Sequence, residues 1–356
     1  MEKRILFAFN AVTEKKRKGL FGECASWETV STISHALLES GHQIWPINVH
    51  THQQLISFVK KIPKPHLAFV YAEGFLGDPE TLWDGSGPSI LRNILSDFHI
   101  PSSHSTSEVM TLCRHKELTY QRLGSFGLAV PLYQVVNPKD FQATDLQGNL
   151  SFPLFVKPSG GGCSLGIDEF SIVQNMGDLQ YKLRKIYEEL GETPTIVETF
   201  LPGREYTVGV IGNDKKYVLP VIAFPQDEGI RSFWRKRNEK QSHWSIIEAS
   251  DPTFRTFREM AVHTFEALQA SDVIRIDFKE DAQGKPHIID VNGTPALTAG
   301  ASLAFMADWL GINQQQLINL IVAQSLARFE LEVPPRLQEI IGEPLLRLIS
   351  YGHEVA

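Results

Sequence analysis

Cysteine is scarce in this chain, and its few cysteines are not spaced for pairing or for metal binding. The three of them, Cys24, Cys113 and Cys163, show none of the short repeated spacings that mark a zinc site or a disulfide framework. This composition is typical of the reducing cytosol, where thiols stay reduced. The sequence therefore predicts a cytoplasmic protein without a disulfide framework.

Long apolar runs and an excess of positive charge are also missing. The chain has no stretch of about 18 apolar residues, the length that spans a membrane, and the apolar run in MEKRILFAFNAV is too short for a signal peptide. The net charge of −7 differs from that of general nucleic-acid binders, which are normally basic. Internal repeats and low-complexity blocks are lacking as well. We therefore expect neither a membrane span nor a nucleic-acid partner.

The chain is long and apolar enough for several packed domains. It has 356 residues, of which 42% are hydrophobic and 21% charged, and this length favours two or three domains. In the first hundred residues strands alternate with helices, in the order RILFAFN, 26–40, QIWPINV, 52–61 and LAFVYA. This βαβ pattern predicts an α/β unit with a parallel sheet. Its binding edge is expected at the carboxyl ends of the strands.

The rest of the chain predicts two further units and a tail. The first unit is expected to span residues 1–100, the second unit 101–195 and the third unit 196–330. The tail is expected to span residues 331–356. Helices are predicted at 107–126, 177–190 and 251–270, and strands at LYQVV and PLFVKP. The tail contains an amphipathic helix at 339–348, which either packs on the main body or forms a homodimer contact.

The stretch RIDFKEDAQGKPHIIDVNGTP predicts a β-hairpin with a polar turn at residues 281–284. When the strands are folded about this turn, Asp277 falls opposite Asp290, Arg275 opposite Asn292, Ile276 opposite Val291 and Phe278 opposite Ile289. Because side chains alternate with period two, one face of the hairpin is apolar and belongs on a core. The other face carries two carboxylates, an amide and a guanidinium.

Like charges directly opposite each other destabilise a sheet. At about 5 Å and an effective dielectric of about 20, two facing carboxylates repel by about 3 kcal/mol. A cation between them would remove that cost, and two Asp with one Asn are hard oxygen ligands that suit Mg²⁺. An ordinary hairpin with a polar solvent face is the alternative, but it does not account for two unpaired acids aligned with an arginine. We therefore predict a metal site at Asp277, Asp290 and Asn292.

A glycine-rich loop follows the strand that carries Lys157. Its three consecutive glycines, at 160–162, allow backbone N–H groups to approach an anion closely. Ser164 adds a hydroxyl, and Lys157 adds a cation. The lysine precedes the glycines, so the loop is not a Walker P-loop. A flexible turn between two strands remains an equal alternative.

Two other segments contribute candidate residues. In VETFLPGRE, the residues Glu198, Phe200 and Leu201 suit a linker whose backbone mimics the edge of a base, and Glu205 could hold a ribose. An edge strand with two solvated acids is the alternative reading. Lys116, in CRHKELTYQRL, is informative only in combination with these segments, because a lysine on a helix is usually solvated.

Together these segments resemble the ATP-grasp fold and, within it, the D-alanine–D-alanine ligase-like branch. The resemblance is carried, in the family's order and spacing, by RHKELTYQRLGSFGLAVP, PLFVKPSGGGCSLGI, VETFLPGREYTVGVIG, VIRIDF and IIDVNGTPALT. It covers residues 100–310 well and the first hundred more loosely. It implies a three-domain ATP-grasp fold with an N-terminal Rossmann-like parallel sheet, which carries substrate contacts.

The resemblance also implies roles for the candidate residues. Lys116 and Lys157 would contact the ATP phosphates, under a loop that includes Gly161, Gly162 and Ser164, of which Ser164 is also a catalytic candidate. Glu198, Phe200 and Leu201 would form the adenine hinge, and Glu205 would bind the ribose. Asp277, Asp290 and Asn292 would hold two Mg²⁺ or Mn²⁺ ions. Arg275 would act at the oxyanion of the tetrahedral intermediate. The implied reaction joins a small carboxylate to an amine through an acylphosphate and gives ADP, phosphate and an amide.

Substrate-binding segments depart from the family pattern. Glu28 lies one residue away from the position at which the family has the glutamate that binds the amino group of the first substrate. The basic, aromatic segment 230–244, which contains Arg231, replaces a loop that normally contains tyrosine and lysine. Ser302 lies in ALTAGAS, which replaces a carboxylate-binding turn. These departures favour a specialised amino-acid or dipeptide ligase over a D-alanine–D-alanine ligase.

Three alternatives stay open at this point. One is a true D-alanine–D-alanine ligase. The second is an enzyme that stops at the acylphosphate or uses another nucleophile. The third is a non-catalytic ATP-binding regulatory module, which the complete set of lysines and metal ligands disfavours.

Overall fold

The structure is a computed structural model that describes residues 2–162, 165–225, 243–248 and 250–354. Within these ranges the chain forms three β-sheets, of three, four and six strands, each covered by helices. The sheets follow one another along the chain. Among these residues no helix combines the length and the apolar character needed to cross a membrane.

The first sheet is parallel, as the βαβ pattern predicts. Its strands and the two helices between them are β1 (Arg4–Phe9), α1 (Trp27–Glu39), β2 (Gln43–Asn48), α2 (His52–Lys61) and β3 (Leu67–Tyr71), and the strand order is β2-β1-β3. The side chain of Ser26 caps α1 by accepting a hydrogen bond from the amide of Thr29. Gly41, with φ of 80°, follows the end of the helix in a conformation that favours glycine.

The strands of this sheet are buried on both faces, and an apolar layer of side chains packs against each face. Ile5, Phe7 and Phe9 point to one face, and Leu6 and Ala8 point to the other. Two short helices complete the unit, α3 (Glu80–Trp83) and α4 (Gly87–Asp97). The second face packs against α2 and α4, whereas the first packs against α1 and C-terminal helices.

The second sheet is antiparallel and lies in the middle of the chain. Its strands are β4 (Tyr133–Val136), β5 (Leu154–Pro158), β6 (Ile172–Val173) and β7 (Thr195–Thr199), in the order β4-β7-β5-β6. The helix predicted at 177–190 is observed as α7 (Met176–Leu190), and the side chain of Asn175 caps it. Because β7 pairs within this sheet, the expected domain boundary at residue 195 falls at the start of that strand.

The single helix predicted at 107–126 is wrong, because the chain forms two helices there. They are α5 (Ser107–Arg114) and α6 (Lys116–Ser125), and His115 between them is extended, with φ of −114° and ψ of 100°. The break has a tertiary cause, since the amide of Lys116 donates to the carbonyl of Ser159 at 3.2 Å rather than continuing the helix. It places Lys116 at the beginning of α6, beside the glycine loop.

The third sheet contains the predicted hairpin. Its strands are β8 (Glu205–Gly212), β9 (Lys216–Val218), β10 (Ile222–Ala223), β11 (Ser245–Ile246), β12 (Asp272–Glu280) and β13 (Pro286–Asn292), in the order β11-β10-β8-β12-β13 with β9 beside β8. The helix predicted at 251–270 is α8 (Pro252–Leu268). It packs on the apolar face of the hairpin, where Ile276, Phe278 and Val291 are buried.

The hairpin register is confirmed for three of the four predicted pairs. Arg275 pairs with Asn292, Ile276 with Val291, and Asp277 with Asp290. The fourth is wrong: Phe278 pairs with Ile288 rather than with Ile289, because the register shifts between Asp277 and Phe278. Such a bulge leaves one residue out of the ladder. That residue is Ile289, and its carbonyl oxygen accepts a hydrogen bond from the hydroxyl of Tyr120.

Three helices close the chain, α9 (Ser302–Trp309), α10 (Gln314–Arg328) and α11 (Pro335–Glu354). The amphipathic helix expected at 339–348 is therefore longer at both ends. One side of α11 packs against the main body through Leu337, Leu348 and Tyr351, which are buried. A dimer contact through its other side stays a prediction.

Candidate active site

A buried ion pair lies where the second sheet meets the third. Lys157 is on β5 and Glu198 is on the neighbouring strand β7, and their Nζ and Oε1 atoms are 2.8 Å apart. Each side chain is 5% exposed. The segment 200–204 then connects β7 to β8, so Phe200 and Leu201 form the link between the two sheets. This is the position predicted for an adenine hinge.

Tyr120 completes this pair, and the sequence reasoning missed it. Its hydroxyl accepts a hydrogen bond from Lys157 Nζ at 2.9 Å and lies 3.0 Å from Glu198 Oε2. Burial, followed by the neighbouring Glu198, raises the pKa of Tyr120 well above its ordinary value. Tyr120 lies four residues after Lys116 on α6, so the two side chains share one face of that helix. This spacing was the available signal.

Lys116 connects the glycine loop to the hairpin. Its Nζ donates to the carbonyl of Gly161 at 3.2 Å and lies 3.5 Å from Asp290 Oδ1. Gly161 has φ of 81°, a conformation that favours glycine. The structure thus brings together the lysine, the loop and one of the predicted metal ligands, which are far apart in sequence.

The prediction that the two facing acids are unpaired is wrong. Arg275 lies two residues before Asp277 on the same face of β12 and donates to both of its carboxylate oxygens at 2.9 Å. The hydroxyl of Thr207 donates to Asp277 as well, at 2.6 Å. Asp290 lies beside Lys116 instead. Arg275 and Lys116 therefore offset the repulsion between Asp277 and Asp290, for which the sequence had predicted a bound metal ion.

The donor set nevertheless fits a hard divalent cation. Among the residues that the structure describes, no group of three or more His, Cys, Asp or Glu side chains could hold a metal. The predicted set is different, since it consists of two acids and the amide of Asn292. The nitrogen of that amide is buried and has no hydrogen-bond partner among the described residues. Asp290 and Asn292 line the same cavity, and their oxygen atoms are of the kind that Mg²⁺ prefers.

This cavity has a volume of about 30 Å³, which is room for very few water molecules. Its lining includes Glu23, Glu73 and Arg114 from outside the hairpin and the glycine loop. Glu23 lies so close to the loop that a Cβ atom on Gly162 would be 1.6 Å from its Oε1. The side chain of Glu23 therefore packs directly against the backbone of the glycine loop, at a place where only glycine fits.

Arg114 connects the two acids of the cavity. Its Nη1 lies 2.6 Å from Glu23 and 3.4 Å from Glu73, and its Nη2 donates to the carbonyl of Leu82 at 3.0 Å. Burial raises the pKa of Glu73, and Glu23 adds to the increase, whereas Arg114 opposes it. The cavity is thus a partly compensated acidic site. These three residues were not predicted, although Arg114 is two residues before Lys116 and Glu73 follows the carboxyl end of β3.

The family model described as "D-ala D-ala ligase C-terminus" matches residues 123–323, which is more than half of the chain. The chain belongs to this family. Its members are ATP-grasp ligases. The prediction that the chain is a ligase that forms carbon–nitrogen bonds is therefore confirmed.

Curated relatives of the ligase have modest sequence identity over most of its length. A D-alanine–D-alanine ligase from Aquifex aeolicus is 24% identical over 298 residues, which cover 83% of this chain and 94% of that protein. Another, from Pelotomaculum thermopropionicum, is 26% identical over 264 residues, covering 72% and 79%.

Solved structures confirm the fold class of the ligase. A D-alanine–D-alanine ligase from Bacillus anthracis superimposes with a TM-score of 0.70 at 22% identity, over 93% of this chain and 99% of that one. Its complex with ATP gives a TM-score of 0.67 at 21% identity, over 92% and 99%. The VanG D-Ala:D-Ser ligase from Enterococcus faecalis gives 0.68 at 20% identity, over 91% and 100%.

Several predicted site residues of the ligase lie apart from this cavity or outside the described residues. Glu28 is exposed in the first turn of α1, and Ser302 is buried at the start of α9; neither is among the described residues that line the cavity. Glu205 begins β8, next to the predicted hinge. Ser164 and Arg231 lie outside the residues that the structure describes. The roles given to all five stay predictions.

Proposed function

We propose that the ligase joins the carboxylate of one small amino acid to the amine of a second, through an acylphosphate, and releases ADP and phosphate. The observation that carries this proposal is the position of Lys116, which contacts both the glycine loop and Asp290. A cation there lies between the predicted phosphate loop and the predicted metal ligands. D-alanine is the first candidate for both substrates, because the relatives' names specify it.

The hinge and the buried ion pair support nucleotide binding. Glu198 and the backbone of Phe200 and Leu201 would bind adenine, and Glu205 would bind the ribose. An ammonium group has three N–H donors. Lys116 donates a hydrogen bond to the carbonyl of Gly161 and forms an ion pair with Asp290, and its ammonium charge would also attract a phosphate oxygen.

Asp277, Asp290 and Asn292 would hold the divalent ions. When bound there, Mg²⁺ would neutralise phosphate charge and let a carboxylate approach ATP. The chain's own contribution is to place Lys116 and Lys157 beside the same phosphates, so that two anions can meet. The carboxylate oxygen then attacks the γ-phosphorus, ADP leaves, and an acylphosphate remains.

Arg275 suits the second step, in which the amine attacks the acyl carbon. Two N–H groups of Arg275 donate to Asp277, which holds the guanidinium beside the predicted metal ligands. The positive charge of Arg275 would stabilise the oxyanion that forms before phosphate leaves.

Glu23 and Glu73 give the cavity the charge needed to bind an amino group, and Arg114 can bind a carboxylate. A zwitterionic amino acid suits this combination of charges. The relatives' names support both a D-alanine–D-alanine ligase and a ligase for another small amino acid. A specialised ligase therefore remains an alternative, supported by the departures at 230–244 and 296–302.

A phosphate-release screen over pairs of D- and L-amino acids tests the proposal. We expect ATP-dependent phosphate and ADP with at least one pair, and a dipeptide by mass spectrometry. Formation of AMP and pyrophosphate would contradict the acylphosphate. If hydroxylamine trapped a hydroxamate but no amino acid gave an amide, the enzyme would use another nucleophile. Absence of any nucleotide hydrolysis with ATP bound would favour the regulatory module.

A further inference from the structure

The hydroxyl of Tyr120 connects two sheets at the proposed nucleotide site. It lies 3.0 Å from Glu198 Oε2, on β7 of the four-stranded sheet, and 3.0 Å from the carbonyl oxygen of Ile289, on β13 of the six-stranded sheet. It also accepts a hydrogen bond from Lys157 Nζ at 2.9 Å. A phenol has one proton, so the two acceptors share it. One hydroxyl thus contacts a lysine, a glutamate and the strand that carries Asp290.

These contacts are buried. Tyr120 is 1% exposed and Lys157 is 4% exposed. Lys157 Nζ lies 5.3 Å from the centre of the Tyr120 ring, and the edge of that ring meets Tyr133 at 5.2 Å. Because burial beside Glu198 raises the pKa of Tyr120, its hydroxyl keeps its proton at neutral pH. The group can therefore act as a donor and an acceptor at once.

The geometry explains why an ion pair at this place needs a third group. Lys157 and Glu198 are 2.8 Å apart, and Lys157 also donates to the carbonyl of Ile289 at 3.4 Å. A buried ion pair is favourable only when additional hydrogen bonds satisfy its remaining N–H groups and lone pairs. The hydroxyl occupies Glu198 Oε2 and one N–H of Lys157, and so it limits how the two groups can turn.

We propose that Tyr120 is a positioning residue for ATP: its hydroxyl holds Lys157 and Glu198 in the orientation in which they meet the nucleotide, and it anchors both to the strand of Asp290. This inference rests on the proposed nucleotide roles of Lys157 and Glu198. Tyr120 itself does not touch the reacting atoms. Its loss should therefore weaken ATP binding more than it slows the chemical steps.

The test compares Tyr120→Phe with Tyr133→Phe in the full chain. Both changes remove one hydroxyl and keep the ring, and among the described residues the Tyr133 hydroxyl donates one long hydrogen bond, to the carbonyl of Glu117 at 3.3 Å. Isothermal titration calorimetry with ATP and Mg²⁺ gives Kd, and phosphate release gives kcat and KM. For Tyr120→Phe we expect a rise of about tenfold or more in Kd and in the KM for ATP, since the lost bonds involve charged groups. The kcat at saturating ATP should change less.

Tyr133→Phe should keep a Kd for ATP within about twofold of the native value, as expected for a substitution outside the hydrogen-bond network of Lys157 and Glu198. A double-mutant cycle of Tyr120→Phe with Lys157→Met should be non-additive in Kd, because the hydroxyl acts through the ammonium group. Additive effects would overturn the proposal, and so would a lower melting temperature with an unchanged Kd. An unfolded Tyr120→Phe protein would show a structural role and would overturn it as well.

The outcome for the unmodified protein separates the two proposals. If it bound no ATP, the proposed function would fail, and the role of Tyr120 would fail with it. If it bound ATP and Tyr120→Phe bound equally well, the inference about Tyr120 alone would fail. Nucleotide binding can be measured without knowing either amino-acid substrate.

Discussion

Replacing Arg114 with methionine should destabilise the protein, and by more at high pH than at low pH. Arg114 is the cation between Glu23 and Glu73, and the three side chains are 12%, 21% and 14% exposed. Removing one partner from a buried pair costs about 3–5 kcal/mol, because a charge is left uncompensated. The bond to the carbonyl of Leu82 is lost too. We therefore expect a loss of about 3 kcal/mol in the free energy of unfolding at neutral pH.

The pH dependence follows from Glu73. Burial and Glu23 raise its pKa, and Arg114 is the strongest of the groups that oppose the rise, ahead of Arg92 and Thr294. In Arg114→Met the pKa of Glu73 rises further, so the folded state binds a proton that the unfolded state has released. Stability then falls as pH increases through that raised pKa. At low pH the carboxyl is neutral in both states, and the loss is smaller.

Urea unfolding at about pH 4, below the ordinary pKa of glutamate, and at about pH 8 measures this difference. Arg336→Met is the matched control, because Arg336 pairs with Glu339 on the surface, where the side chains are 58% and 70% exposed. An exposed pair contributes little, so the control should change by less than about 1 kcal/mol at either pH. Equal losses for Arg114→Met at both pH values would refute the assignment of Glu73 as the group that takes up the proton.

Three further substitutions are expected to have separate effects. Asp290→Asn should lower phosphate release by about a hundredfold or more, as loss of an electrostatic group at the transition state does; Asp281→Asn in the hairpin turn should keep native activity in the same assay. Glu23→Gln should raise the KM for an amino-acid substrate and not that for ATP, whereas Glu39→Gln at the exposed end of α1 should change neither. Asp272→Asn should lower stability by about 3 kcal/mol in urea, because this fully buried acid accepts hydrogen bonds from four residues. These are His104, Asn213, Ser325 and Arg328.

Local patterns predicted the elements of the fold well. The hairpin at 275–292 followed from period-two alternation and a polar turn, and three of its four pairs are confirmed. The fourth was wrong because nothing in the sequence marks the bulge after Asp277. The break at His115 was also missed, since it depends on a hydrogen bond to Ser159 from another part of the chain rather than on Gly or Pro.

The site was predicted in part, and the missing residues share one property. Lys116, Lys157 and Glu198 were found because their motifs resemble a family. Tyr120 and Arg114 were missed because their partners are distant in sequence: Tyr120 is 78 residues from Glu198, and Arg114 is 91 residues from Glu23. Local spacing places Tyr120 on the same helix face as Lys116, but it does not report which distant residues that face contacts.

Transfer of a labelled oxygen tests the acylphosphate most directly. The amino acid that supplies the carboxylate would be labelled with ¹⁸O on both carboxylate oxygens and incubated with the ligase, ATP, Mg²⁺ and the second amino acid. If the carboxylate attacks ATP and the amine then expels phosphate, one ¹⁸O atom appears in inorganic phosphate for each amide formed. Unlabelled phosphate accompanied by amide formation would contradict the proposed mechanism.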